Sequence, residues 1–146
     1  MSSGTTHLFT NLILGTTLNL VAVNINAGTE ICSGVIVGNF LGIIITPDAD
    51  LKKTLPKRIT SVIPLWNWLW TPYTKAFKHR SIWSHSPILS TAIRAAYLSI
   101  LLLPLFLLLY FFNIYTPSPF FLIYTFGVWC IQDISHLLLD GVLIKF

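Results

Sequence analysis

Four histidines and five acidic residues are the chain's imidazole and carboxylate side chains, and all but Glu30 fall into four short stretches. The last of these, QDISHLLLDG, places Asp133, His136 and Asp140 at i, i+3 and i+7. That interval stacks three side chains on one face of a helix. Imidazole and carboxylate sharing a face suit a borderline divalent ion such as zinc or manganese, and a carboxylate can also orient a ligating imidazole. The same residues also allow a hydrogen-bonded polar cluster that ties helices together.

A second stretch, KHRSIWSHSP, holds His79 and His85 six residues apart with Arg80 beside the first. Six residues do not repeat on one straight helical face, so these imidazoles converge only through a turn. Arg80 presents a planar fork of donors that fits a phosphate or carboxylate, or a lipid headgroup. The third stretch, GIIITPDAD, closes an apolar run at Pro47 and adds Asp48 and Asp50 at alternate positions. One carboxylate of such a pair can meet an ion while the other orients it or serves as general base. His7 is the isolated member near the N-terminus.

The elements that must position these residues are apolar. The chain of 146 residues is 54% hydrophobic and 10% charged, with a mean hydropathy of +0.74. A soluble domain carries about 25% charged residues, so much of this surface must meet lipid. Apolar runs at about 8–27, 31–46, 87–112 and 119–139 predict an all-α integral membrane bundle of about four spans, forming one domain over 1–146. The run from Ala95 to Phe112 has no charge and approaches the roughly 20 residues that cross hydrocarbon. Pro104 within it predicts a kink. Gly34, Gly38 and Gly42 recur every four residues, a stripe that lets helices approach closely in lipid.

The loop 47–86 is the long polar segment. Three of the five tryptophans lie within Ile63 to Phe77 beside Tyr73 and basic residues, which predicts an interfacial aromatic segment there, either lying on the membrane or packed over the helix ends. Eight of nine Lys/Arg fall between Lys52 and Arg94 and the ninth is Lys145. By the positive-inside tendency, this loop and both termini face the cytoplasm. Every histidine and every acid except Glu30 then lies towards that face, and ionisable groups near a span are functional candidates by default.

The net charge of +4 does not point to nucleic acid, because no polar segment interleaves basic residues with stacking aromatics. Cys32 and Cys130 sit in apolar runs without metal-site spacing and are expected to pack as small apolar side chains. The N-terminal MSSGTTHLFTN lacks the basic start of a secretory signal and is read as part of the mature protein.

Taken together, His7, the Gly-rich span ending in Pro47, Asp48 and Asp50, the HRSxxHS element (His79, Arg80, Ser81, His85, Ser86) and the SHLLLDG element (Ser135 to Gly141) resemble the YdjM-like family of membrane-bound metal-dependent hydrolases and its sister family of metal-binding membrane proteins. The aromatic segment WNWLWTPYTKAFK before HRS makes the sister family the nearer match. The resemblance implies a relation to zinc-dependent phosphoesterases of the phospholipase C type. The expected site has His79, His85, Asp133 and His136 as core metal ligands, with Asp48 and His7 next. Asp50 or Asp140 would act as base or orienting group, and Arg80 would grip the substrate. The expected cofactor is a divalent ion, zinc before manganese or iron, and the expected partners are the bilayer and a lipid or other phosphoester. A non-catalytic metal-binding or scaffold role is the alternative, and a transporter is disfavoured because the acids avoid mid-span.

Overall fold

The structure is a computed structural model that describes residues 4–46, 63–77, 81–114 and 116–141. Among these residues it is all-helical. The helices are α1 (Gly4–Asn24), α2 (Thr29–Ile44), α3 (Ile63–Ala76), the single turn α4 (Ile82–His85), α5 (Leu89–Phe111) and α6 (Pro119–Leu139).

Three helical segments, Thr6–Asn24, Leu89–Phe111 and Pro119–Leu139, are long and apolar enough to cross a membrane. α2 is apolar but has 16 residues, about 24 Å at 1.5 Å per residue against a hydrocarbon core of about 30 Å. Its start is set by Gly28 and its end by Ile45, whose N–H still reaches Leu41 O at 2.7 Å.

The connections explain why the helices stop where they do. Asn26 and Asn113 both adopt positive φ, 52° and 51°. After each helix a pair of backbone bonds folds back, Ala27 N to Ala22 O and Asn26 N to Val23 O, then Ile114 N to Leu109 O and Asn113 N to Tyr110 O. This is the left-handed C-terminal cap, in which asparagine is the usual substitute for glycine. α6 begins with Ser118, whose hydroxyl accepts from Phe121 N at 3.2 Å, followed by Pro119 in the first turn.

α2 packs most closely on α6, and the glycine stripe is the reason. A Cβ at Gly34 would lie 2.8 Å from Phe121 O, one at Gly38 2.4 Å from Thr125 O, and one at Gly42 2.4 Å from the Gln132 Cβ. The backbones therefore meet where side chains would otherwise separate them. α1 covers this pair, and its contact with them is polar at one level. Gln132 Nε2 donates to Asn11 O at 3.0 Å and to Asn39 Oδ1 at 2.6 Å, while Ser135 Oγ donates to Asn11 Oδ1 at 2.8 Å.

α5 touches the bundle only through its first turns. From Ser99 to Ile114 every residue except Leu109 is exposed, an apolar surface that water does not solvate and lipid does. α3 is a helix, and it combines both readings of the aromatic segment. Trp70 and Tyr73 are buried against Ile45 and Trp129, with Tyr97 and Phe77 packed around them. Trp68 stays 72% exposed, free to sit at headgroup level.

Candidate metal centre

The start of α1 and the end of α6 meet at one end of the bundle. His7 is in the first turns of α1, His136 in the last turn of α6, and Asp140 caps that helix, its N–H reaching His136 O at 3.2 Å. The i, i+4 relation puts His136 and Asp140 on one face, and α1 brings His7 across it. His7 Nε2 lies 3.1 Å from Asp140 Oδ1, and His136 Nε2 lies 3.5 Å from Asp140 Oδ2. One carboxylate thus faces two imidazoles, with an oxygen for each.

The two imidazole rings stack with centroids 4.0 Å apart and planes 23° from parallel. A neutral imidazole is the form that offers a ring-nitrogen lone pair to a metal. Both histidines are buried, and Asp140 is less so, its side chain 13% exposed.

The donor set fits a divalent ion. His7, His136 and Asp140 each offer a ligand atom, and those atoms all lie within 4.8 Å of one another. Around zinc at about 2.0–2.1 Å, tetrahedral donors sit about 3.3 Å apart, so the three atoms would draw together around an ion. Imidazole with carboxylate is the chemistry of zinc, manganese and non-haem iron sites.

Asp133, one turn earlier on α6, has different neighbours. Its Oδ2 accepts from Arg94 Nη2 at 2.5 Å and from the Thr91 hydroxyl, both on α5. Asp133, Arg94 and Thr91 are all essentially inaccessible to solvent. Asp133 Oδ1 has no hydrogen bond among the described residues. Arg94 Nη1 also donates to Ile45 O at 2.8 Å, as does Trp129 Nε1 at 3.2 Å. The Arg94 guanidinium carbon lies 5.8 Å from the centre of the Trp129 ring.

Of the site residues expected from sequence, the structure brings together His7, His136 and Asp140, with Asp133 set apart in its pair with Arg94. Asp48, Asp50, His79 and Arg80 lie outside the described residues, as does the side chain of His85. Arg94 was missed by the sequence reading, which counted it only as one of the basic residues that orient the chain. A buried cation inside an apolar run, seven residues before Leu101, was the signal that it needed a buried acid. Asn11 and Gln132 were missed too; their partners are 121 to 124 residues away in sequence or on α2, and no local spacing reports such a contact.

Fold and site together define a helical protein of membrane type with a candidate divalent-metal centre where its helix ends converge. The chain belongs to the family described as uncharacterized metal-binding protein (DUF2227), whose pattern matches residues 2–144. No curated protein and no solved structure matches it. The metal-binding part of the resemblance therefore stands.

Proposed function

We propose that the chain is an integral membrane protein that holds one divalent ion through His7, His136 and Asp140, and that the centre hydrolyses a phosphoester at headgroup level. The observation that carries the first half is the convergence of two buried imidazoles on one carboxylate at 3.1 and 3.5 Å. The family's metal-binding description supports it. α2 serves as the fourth span, shortened but packed between longer neighbours. The Lys/Arg distribution puts the site on the cytoplasmic side. Asp48, His79 and His85 stand next in sequence to complete the donor set, and zinc is the ion such donors favour, before manganese or iron.

Bound there, a divalent ion supplies a water of lowered pKa and polarises a phosphoryl oxygen. The chain's own part in the reaction falls to its polar residues. Asp50 would serve as general base for a water, and Arg80 would hold the non-bridging phosphoryl oxygens in its fork. His7 and His136 would hold the ion through ring nitrogens, and Asp140 would balance its charge.

A non-catalytic metal-binding role is favoured by a separate observation: His7 and His136 are 6% and 4% exposed, close to the enclosure of a structural site, whereas a catalytic site keeps one position open to water. Turnover separates the two. Detergent-purified protein loaded with zinc is reconstituted in vesicles and given phospholipid and soluble phosphoesters, beside an Asp50→Asn variant. Metal-dependent hydrolysis lost in the variant supports the hydrolase. A fully loaded protein without turnover on any phosphoester assigns the non-catalytic role.

A further inference from the structure

Asp133 shares a face of α6 with His136 and Asp140, yet its side-chain contacts run to Arg94 and Thr91 of α5. Resting on the metal centre proposed above, we infer that Asp133 is a positioning residue rather than a metal ligand, and that with Arg94 it holds the donor-bearing end of α6 in register with the end of α2 and the start of α5.

The connections carry this. Asp133 belongs to α6, three residues before His136. Its Oδ2 is taken by Arg94 and Thr91 of α5. Arg94 spends its remaining donors on its own helix, through Nε to Ser90 O at 3.2 Å and Nη2 to Ser90 Oγ at 3.2 Å, and on Ile45 O of α2. Ile45 is the C-cap of α2, so its carbonyl has no helical partner and must be satisfied from outside. Arg94 and Trp129 satisfy it together. One guanidinium thus fixes the end of α2 and the start of α5 to the last turns of α6, which hold His136 and lead to Asp140.

α5 has few other ties. Beyond Leu98 it is exposed nearly all round, and its remaining anchor is apolar, with Ile93, Tyr97 and Leu98 against the Trp70 and Tyr73 cluster and the Tyr97 hydroxyl on Leu69 O. An aromatic cluster allows sliding, whereas a forked, charge-assisted bond sets both angle and height. Partners that orient ligands from outside a metal site typically alter affinity by about 10- to 100-fold without changing the ligand set. Oδ1 of Asp133, without a hydrogen bond among the described residues, is the atom through which a ligand role would act instead.

Cobalt titration of the full chain in detergent distinguishes these roles, with ligand-field absorption as the readout. Variants are Asp133→Asn, Arg94→Gln and the double variant, which replaces a charged pair with a neutral one. Positioning predicts that each single variant binds cobalt about 10- to 100-fold more weakly while its spectrum at saturation matches wild type, and that the double variant recovers most of the affinity. A saturated Asp133→Asn spectrum altered in position or intensity, or a double variant no better than the single ones, overturns the inference. If the neutral variants do not insert, Arg94→Lys keeps the charge and loses the fork. Weaker binding with an unchanged spectrum in that variant supports positioning, and unchanged binding contradicts it. Wild-type protein that binds no cobalt refutes the metal centre itself, an outcome distinct from all of these.

Discussion

At the scale of single residues, the site depends on side chains of very unequal visibility. The HLLLD spacing of His136 and Asp140 shows in the sequence because both lie on one helix. His7 does not, since 133 residues separate it from the carboxylate it faces. Yet it completes the donor set. Replacement of His7 by Ala is predicted to weaken metal binding by more than about 100-fold, beyond the about 10- to 100-fold that loss of an outer partner costs, as measured by titration with zinc against a competing chelator. Asp133 was legible as a functional acid, but its partner was not, because Arg94 looks like one more basic residue until α5 is laid against α6. The outcome is a fully buried ion pair, which persists in a membrane interior only when both charges are matched.

At the scale of elements, helix positions follow the apolar runs to within a few residues, and the asparagine caps at Asn26 and Asn113 fix two of the turns. The glycine stripe could be read as a packing surface, although the identity of the facing helix could not. Gly38→Ala is predicted to destabilise the bundle by about 1–3 kcal/mol, because its Cβ would meet a backbone oxygen that has little freedom to move. Gly127→Ala on α6 is the matched control. Nothing lies within 4 Å of its Cβ, and alanine should gain up to about 1 kcal/mol in helix propensity. Unfolding in mixed micelles measures both. α3 gives a similar contrast. Trp70→Ala removes a ring that is 1% exposed and should cost about 3–5 kcal/mol, whereas Trp68→Ala removes one that is 72% exposed and should cost little.

At the scale of the whole molecule, the start of α1 and the end of α6 bring His7, His136 and Asp140 together at one end of the bundle. At the opposite end, the Ser118 hydroxyl donates to Glu30 at 2.6 Å, tying the starts of α6 and α2 together. The proposed sidedness rests on charge distribution alone, because lysine and arginine avoid both connections at that end. If α2 is the fourth span, single cysteines at Gly28 and Asn113 will react with an impermeant maleimide from the side opposite to one at Ala76. Labelling of all three from one side would remove the four-span arrangement. What the sequence could not supply was the meeting of α1 with α6, which rests on a polar layer of Asn11, Gln132 and Ser135 as well as on the glycines. The most direct test of the account is elemental analysis of the purified full chain beside a His7→Ala, His136→Ala and Asp140→Asn triple variant that still inserts. The account predicts close to one zinc, manganese or iron per wild-type chain and none in the variant; equal metal in the two, or none in either after reloading, would contradict it.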